Sequence, residues 1–288
     1  MEKKEINLSI DEILHCPVIG EGSEGIVYRY VDNILIKIYR KQIYWMKDSL
    51  QLLDLPDKIY DKSSLQIKNY QDQFTFHKRD EADYIKLYKR EPLAEIGKKR
   101  NDVKRTQLPI GPVFISQRFS GCFFQAVSGI PIHHLMFLPL FYKRKIGKSL
   151  IEDIQELVKN FVYPIDLNNS PFSEATILNE FGHYNTVRGH SHVYIKLGKQ
   201  KTNLIDLDGK STIYTDYFDE TLYQYTLHSL CILLLEFLYG LVYMNEYYED
   251  IDVFVYELQK LGLSETFASH VAHGQIQDFN EITRSLKL

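Results

Sequence analysis

The stretch I-G-E-G-S-E-G-I-V-Y, residues 19–28, decides how the rest of the chain is interpreted. Three of its glycines, Gly20, Gly22 and Gly25, follow the spacing G-x-G-x-x-G. Because glycine has no Cβ, the backbone can turn tightly at these positions and approach a phosphate group closely. Three glycines in a polar segment also form ordinary turns. The residues on either side must therefore show whether this segment binds a phosphate or is only a turn.

The residues after the glycines have a β-strand pattern. Short apolar and polar alternations over residues 8–40, interrupted by the glycines and by Asp32-Asn33, predict an antiparallel meander. A dinucleotide-binding glycine motif would instead lead from a strand into a helix. Lys37 lies in the otherwise apolar run I-L-I-K-I, either as an edge-strand lysine that discourages aggregation or as a phosphate ligand. The glycine stretch upstream favours the phosphate ligand.

A glycine stretch between two antiparallel strands, with a lysine on the next strand, resembles the nucleotide-binding lobe of the protein-kinase family. The resemblance implies an α+β, bilobal protein-kinase-like fold. It places a small antiparallel β lobe with a helical insertion at residues 1–128 and a mainly helical large lobe at residues 129–288. The nucleotide-binding residues that it implies are Gly20, Glu21, Gly22, Gly25, Val27, Lys37, Gln125 and Val127.

Residues 41–105 are highly charged and have a helix-rich pattern, with an irregular part at 57–76 and a predicted helix over 78–104 that contains Pro92. The resemblance implies a helix glutamate here that pairs with Lys37 and holds it against the phosphates. Glu95 is the first choice and Glu91 the second, while a solvated surface glutamate is the alternative for either. Two strands are then expected at residues 112–117 and 121–127, with a turn around Ser120-Gly121.

A predicted helix over residues 148–161 leads into Y-P-I-D-L-N, residues 163–168. This segment is similar to the catalytic loop of the family in its position and its Asp-Leu step, which implies that Asp166 is the catalytic aspartate. It lacks the usual His-Arg before the aspartate, and Pro171 stands where the family has an asparagine. The alternative is that Asp166 only caps or turns the chain.

Residues 169–189 are interpreted as an insertion with a short helix in F-S-E-A-T-I-L-N-E-F. His190 and His192 follow it. The resemblance puts His192 near the family's metal-binding asparagine; the alternatives are that the two histidines line the cleft, orient substrate or have no chemical role. The next motif, N-L-I-D-L-D-G at residues 203–209, resembles the metal-binding motif of the family. This implies that Asp206, together with Asp208, holds Mg²⁺, a cation that prefers oxygen ligands. An acidic turn of this kind also occurs in plain loops, and Asp208 replaces the usual glycine.

Residues 225–240 are apolar on nearly every side and predict a buried helix, similar to the central large-lobe helix of kinases. Thr226 occupies the position of the aspartate that anchors the catalytic loop in that family. Only a short segment separates Gly209 from this helix, and it has no A-P-E triplet, so the region that usually docks a protein substrate is nearly absent. Helical patterns over residues 253–261 and 276–286 complete the large lobe.

Composition restricts the location and the partners. The net charge of −4 gives no support to nucleic-acid binding. The most apolar run, residues 227–242, contains His228 and Glu236 and is too short and polar for a membrane span. The three cysteines, Cys16, Cys122 and Cys231, are far apart and are interpreted as buried thiols without zinc-binding spacing. These features favour a cytoplasmic protein and leave the oligomeric state open.

Two functional hypotheses follow. The favoured one is an ATP- and Mg²⁺-dependent phosphotransferase with a protein Ser/Thr or a small-molecule hydroxyl as acceptor, in which Asp166 and Lys37 are catalytic. The alternative is a pseudokinase, an interaction module that binds nucleotide without turnover, because the catalytic loop and the segment after Gly209 depart from the family pattern. A third interpretation, a non-kinase binding protein with a fortuitous glycine turn, explains fewer of the motifs.

Overall fold

The computed structural model describes residues 5–21, 25–39, 42–46, 49–55, 74–78, 102–103, 105–106, 108–165, 167, 174–178, 184–188, 193–196, 201–204, 207, 212–240 and 251–288. Its residues form two compact units. Unit 1 comprises Met1–Lys98, Leu108–Ala126 and Glu174–Arg188, and unit 2 comprises Lys99–Gln107, Val127–Ser173 and Gly189–Leu288. The lobe boundary after residue 128 stays a prediction.

The first part of the chain is rich in strands, and the part from residue 140 onward contains the long helices together with short strands. In chain order they are β1 (Ile6–Leu8), α1 (Ile10–Leu14), β2 (Val18–Glu21), β3 (Gly25–Val31), β4 (Ile34–Tyr39), β5 (Gln42–Met46), β6 (Ser49–Leu55), β7 (Phe74–Lys78), β8 (Gly111–Ile115), β9 (Arg118–Gln125), β10 (Ile130–Pro131), a 3-10 helix (Ile132–Leu135), α2 (Leu140–Lys159), β11 (Val162–Pro164), β12 (Glu174–Leu178), β13 (Tyr184–Arg188), β14 (Val193–Lys196), β15 (Lys201–Leu204), β16 (Thr212–Tyr214), α3 (Glu220–Tyr239), α4 (Ile251–Lys260), α5 (Glu265–Ala272) and α6 (Phe279–Ser285).

The main sheet of unit 1 has six strands in the order β1-β8-β9-β4-β3-β2. The antiparallel meander predicted from residues 8–40 is confirmed for β2, β3 and β4, and the turn at Asp32-Asn33 joins the last two. Residues 10–14 instead form α1, because Ser9 and Glu12 make a capping box that stabilises a helix start. Ile13 of α1 packs with Ile26, Ile36 and Val113 in the core on one face of the sheet.

The hairpin between β8 and β9 turns at Ser116-Gln117, so the turn expected at Ser120-Gly121 is wrong. Ser116 and Gln117 both have positive φ, 49° and 66°, as a two-residue turn matched to the twist of a hairpin requires. Gly121 is needed inside β9 instead. A Cβ built on it would overlap the Lys37 carbonyl oxygen of the neighbouring strand.

The helix predicted over residues 78–104 lies almost entirely outside the described residues, and two other helical expectations are wrong. Within residues 41–105, β5, β6 and β7 form an antiparallel sheet in the order β6-β5-β7. The short helix expected in F-S-E-A-T-I-L-N-E-F is replaced by the hairpin of β12 and β13. Runs such as Q-I-Y-W-M and E-A-T-I-L contain β-branched or aromatic residues, which pack well on a sheet and outweigh the helix-like charge pattern.

Unit 2 is built around α2 and α3, each of 20 residues. The helix predicted over 225–240 is confirmed, although it begins five residues earlier, where the side chain of Asp219 accepts a hydrogen bond from Leu222 N–H. It ends at Gly240, whose φ of 72° suits a glycine C-cap. α4 and α6 match the remaining helical patterns, whereas α5, capped by Ser264, was not predicted.

Two small sheets complete unit 2. β14 pairs with β10 and β15, and β11 pairs with β16. The cysteines are all free thiols; Cys122 and Cys231 are buried as expected, while Cys16 is only half-buried.

Candidate functional site

Lys37 lies in the middle of the main sheet of unit 1. Its strand, β4, is hydrogen-bonded to β9 on one side and β3 on the other, so the edge-strand interpretation of this lysine is wrong. Lys37 stands opposite Val27 on β3 and Cys122 on β9, and it is only 7% exposed. A lysine is almost never buried to this degree unless a partner or a function retains it.

The glycine stretch joins β2 to β3, the strand next to Lys37. Gly20 pairs with Val27 and Glu21 pairs with Ile26, with an irregularity in the register between Val18 and Gly20. A Cβ added at Gly20 would meet nothing within 4 Å, so the space beside this backbone is open. A phosphate group could therefore approach the chain here, and the buried Lys37 two strands away offers the matching positive charge.

Gly121 determines how closely β9 approaches β4 at the lysine. It pairs with Ile38, and the position where its Cβ would lie is taken by the carbonyl group of Lys37. Any larger residue must displace one of the two strands, because backbone atoms are the obstacle. Gly121 therefore sets the backbone position of Lys37.

In unit 2, the chain after β11 is fixed to α3 by one buried hydrogen bond. The N–H of Leu167 donates to Oγ of Ser229 over 2.7 Å, and the two residues are 2% and 4% exposed. The sequence places the anchoring position of the resembled family at Thr226, but Thr226 Oγ1 donates to the Leu222 carbonyl oxygen within its own helix. Ser229, about one turn later, was not predicted to be the anchor. A serine in an otherwise apolar helix could have indicated it, because a buried hydroxyl group needs a hydrogen-bond partner.

Hydrogen bonds hold the described part of the segment between residue 207 and α3, in addition to the pairing of β16 with β11. The Tyr214 hydroxyl donates to the Leu207 carbonyl oxygen over 2.5 Å, and Thr215 N–H donates to the Phe161 carbonyl oxygen over 3.1 Å. The N–H of Asp219 donates to Oη of the buried Tyr163 over 3.0 Å. Tyr163 therefore links β11 directly to the start of α3.

A buried carboxylate, Asp153 on α2, ties a further segment of unit 2 in place. Arg105 Nε donates to Oδ1 of Asp153 over 2.5 Å, and Thr202 Oγ1 donates to its other oxygen. Arg105 also contacts Glu152 Oε2 at 2.9 Å, and its N–H donates to Glu156. Asp153 thus has both carboxylate oxygens satisfied, as a fully buried charge requires.

Glu236 is a second buried carboxyl group, near the end of α3. It is 5% exposed, and burial raises its pKa from 4.5 to about 8. The neutral acid is therefore favoured at pH 7 in the folded protein.

Several predicted site residues lie outside the described residues. They are Gly22, Glu91, Glu95, Asp166, His190, His192, Asp206 and Asp208. Of the expected adenine-side positions, Gln125 is exposed at the end of β9 and Val127 is half-buried. Within the described part of the chain, no three His, Cys, Asp or Glu side chains lie close enough to hold a metal ion. The roles of all these residues stay predictions.

Among the helices that the structure describes, none has the combination of length and apolar character needed to cross a membrane.

No protein-family model matches the sequence, and no curated protein sequence matches it. Solved structures do match over nearly the whole chain. The PK-1 kinase of Cydia pomonella granulovirus is 12% identical, with 96% of this chain and 95% of that chain covered and a TM-score of 0.46. The apo form of PpkA-294 is 13% identical, with 94% of each chain covered and a TM-score of 0.51.

The likeness to PpkA-294, together with the β-rich and helical units, shows the fold. The chain has an α+β protein-kinase-like fold, as the glycine stretch, Lys37 and the buried helix predicted. At 13% identity this likeness extends to the fold alone.

Proposed function

We propose that this protein is an ATP- and Mg²⁺-dependent phosphotransferase, with a protein Ser/Thr or a small-molecule hydroxyl as acceptor. The observation that carries the proposal is Lys37, a lysine 7% exposed at the centre of the sheet, beside the strand that leaves the glycine stretch. A nucleotide phosphate bound along the glycine backbone would form a charge-assisted hydrogen bond with this ammonium group, which supports Lys37 as a phosphate ligand.

The proposed roles of the residues follow from phosphoryl-transfer chemistry, in which a protein mainly positions groups and neutralises charge. The backbone of the glycine stretch and Lys37 bind the phosphates, and Glu95 orients Lys37. Asp206 and Asp208 hold the metal, which when bound neutralises part of the phosphate charge.

Asp166 orients the acceptor hydroxyl and takes its proton. The acceptor oxygen forms a bond to the γ-phosphorus while the bond from that phosphorus to the bridging oxygen breaks, which leaves ADP. The anchoring of Leu167 to Ser229 supports this role, because it fixes the peptide group that directly follows Asp166.

The location is also part of the proposal. We place the activity in the cytoplasm, where nucleotide is abundant and free thiols such as Cys122 and Cys231 stay reduced.

A specific observation favours the alternative, a pseudokinase that binds nucleotide and acts by contact. Only residues 215–219 separate the end of β16 from the start of α3. A segment this short offers little surface for docking a protein acceptor. It favours either a small-molecule acceptor or an interaction module without turnover.

The experiment that separates these hypotheses is transfer from γ-labelled ATP with Mg²⁺, together with the shift in melting temperature that ATP induces. The phosphotransferase predicts label on an acceptor for the wild type and its loss in Asp166→Asn and Asp206→Ala. A thermal shift without transfer favours the pseudokinase. If ATP causes no thermal shift and no label is transferred, both hypotheses are contradicted.

A further inference from the structure

Four large apolar side chains are exposed at the start of α2 and in the turn before it. They are Phe137, Leu140, Phe141 and Tyr142, which are 79%, 38%, 61% and 46% exposed, and together they define the aromatic surface. The rings of Phe141 and Tyr142 contact each other edge to face, with their centroids 5.6 Å apart. Exposed apolar groups clustered in this way mark a site of interaction with a protein or a membrane.

The backbone beneath the aromatic surface is fixed by hydrogen bonds. Leu138 N–H donates to the Leu135 carbonyl oxygen over 3.1 Å, and Tyr142 N–H donates to the Pro139 carbonyl oxygen over 2.9 Å. Leu135 and Ile146, which lie on either side in sequence, are buried and anchor this segment in the interior of unit 2. Substitution of the exposed side chains therefore leaves these buried anchors in place.

Positive charge borders the aromatic surface. Lys145 and Lys148 are exposed on α2, and Lys145 Nζ lies 4.3 Å from the centroid of the Phe141 ring. Neither lysine forms an ion pair with a described carboxylate. No aspartate or glutamate occurs in the sequence between Asp102 and Glu152, although the whole chain has a net charge of −4. The segment that carries the aromatic surface is therefore basic within an acidic protein.

This combination fits the surface of an anionic lipid bilayer. Aromatic rings are favoured at the boundary between headgroups and acyl chains, and lysines are attracted to negatively charged headgroups. Binding at this boundary strengthens with the apolar area buried and with the positive charge beside it. The most exposed ring, that of Phe137, projects from the protein. A fluid bilayer accepts a projecting ring, whereas a protein partner needs a matched pocket for it.

We propose that the aromatic surface binds the surface of an anionic phospholipid membrane. Phe137 and Phe141 enter the boundary between headgroups and acyl chains, and Lys145 and Lys148 contact the headgroups. The binding is peripheral and reversible. It does not depend on the nucleotide site proposed above.

Co-sedimentation of the full-length protein with lipid vesicles tests this proposal. One set of vesicles consists of phosphatidylcholine alone, and the other contains phosphatidylcholine with about 30% phosphatidylserine. The wild type should bind the anionic vesicles at least about tenfold more strongly than the neutral ones, and about 0.5 M NaCl should weaken this binding. No binding to the anionic vesicles, or equal binding to both sets, would overturn the proposal.

Two double variants separate the apolar contribution from the charged one. Phe137→Ala/Phe141→Ala should lower the partition coefficient on anionic vesicles by about tenfold or more, because it removes the rings that enter the bilayer. Lys145→Gln/Lys148→Gln should lower it by about fivefold for each lysine. Unchanged binding by either double variant would contradict the assigned surface.

Tyr256 and Lys260 on α4 provide a matched control. Lys260 Nζ lies 4.4 Å from the centroid of the exposed Tyr256 ring, so this pair has the spacing in sequence and the ring–ammonium contact of Phe141 and Lys145. Tyr256→Ala/Lys260→Gln should leave vesicle binding unchanged. A loss equal to that of the variants on α2 would show that the aromatic surface is not the specific site.

Phe141→Trp tests insertion even if the double alanine variant does not fold. On anionic vesicles, the fluorescence gained relative to the wild type should shift to shorter wavelength and be quenched by lipids with brominated acyl chains. Absence of quenching would contradict entry of this side chain into the bilayer.

The oligomeric state in the absence of lipid distinguishes a second copy of the chain from a membrane. We expect sedimentation of the wild type and of Phe137→Ala/Phe141→Ala to give the same mass. A wild-type dimer that this variant converts to a monomer would show that a second copy covers the aromatic surface, and the membrane proposal would fail.

Discussion

The backbone N–H of Leu167 donates to Oγ of Ser229 over a distance of 2.7 Å, in an environment from which solvent is excluded. This bond joins the chain after β11 to the buried helix α3. Leu167 directly follows Asp166, so a hydroxyl group on α3 positions the peptide that carries the proposed catalytic aspartate. Ser229 is therefore a positioning residue in the proposed reaction.

Ser229→Ala should lower both stability and turnover. The change leaves the buried N–H of Leu167 without its acceptor, which costs about 1–3 kcal/mol. We expect kcat for transfer to fall while KM for ATP changes little, since the nucleotide contacts proposed for Lys37 and the glycine stretch are untouched. Urea unfolding and steady-state kinetics measure the two effects.

Thr226→Val is the matched control for Ser229, because it removes another buried hydroxyl from the same helix. Among the described residues, the Thr226 hydroxyl bonds within α3, to the Leu222 carbonyl oxygen. Its loss should change stability by less than about 1 kcal/mol and leave kcat unaltered. Equal effects of the two substitutions on kcat would remove the positioning role from Ser229.

Two glycine substitutions should separate folding from nucleotide binding. Gly121→Ala places a Cβ where the Lys37 carbonyl group lies, so it should destabilise unit 1 by about 1–3 kcal/mol and weaken ATP binding. Gly20→Ala meets open space and should leave the melting temperature nearly unchanged. It should nevertheless weaken ATP binding, because the Cβ obstructs the approach of a phosphate. Thermal unfolding and ATP titration of both variants test this, and normal ATP binding by Gly20→Ala would count against the glycine site.

Neighbouring carboxylates on α2 should differ sharply in their contribution to stability. Asp153 is fully buried and accepts from Arg105 and Thr202, whereas the Glu152 side chain is 45% exposed and contacts only Arg105 among the described residues. Asp153→Ala should cost about 3 kcal/mol in unfolding free energy, and Glu152→Ala about 0–1 kcal/mol. Chemical denaturation gives both values. Similar losses of unfolding free energy in the two variants would show that the buried hydrogen bonds of Asp153 do not determine its contribution to stability.

Glu236 should make stability depend on pH. Its folded-state pKa of about 8 lies above the ordinary 4.5, so between these values the folded protein holds a proton that the unfolded chain has released. The unfolding free energy contributed by this group therefore falls as pH rises from about 4.5 to 8. Glu236→Gln should flatten that decline and be more stable than the wild type at pH 8.

Glu257→Gln, which alters a surface ion pair with Lys260, provides the comparison for Glu236. Its pH–stability profile should keep the slope of the wild type, since exposed pairs contribute little. Urea unfolding at several pH values measures all three proteins. A Glu236→Gln profile parallel to the wild type would show that this carboxyl group does not titrate as described.

The features that decide the fold were predictable because they depend on local chemistry. The glycine spacing, the apolar strand around Lys37 and the apolar helix α3 each require little knowledge of distant contacts. The turn at Ser116-Gln117 was not predictable in this way. Neither residue is a usual choice for positive φ, and the close approach of Gly121 to the Lys37 backbone joins strands that are distant in sequence.

The missed strands and the missed anchor have a similar cause. β5 forms a hairpin with β6 and also pairs with β7, which is distant in sequence, and such pairing overrides a helix-like charge pattern. Ser229 contacts a residue 62 positions away, so its role depends on the tertiary structure. The sequence position of the family's anchoring aspartate pointed instead to Thr226.

The central claim is that the buried Lys37 binds a nucleotide phosphate, and calorimetric titration of ATP with Mg²⁺ tests it most directly. The wild type should bind ATP, and Lys37→Met, which keeps the length but removes the charge, should bind at least about tenfold more weakly with an unchanged fold. A wild type that does not bind ATP, or a folded Lys37→Met variant that binds as tightly as the wild type, would contradict the account.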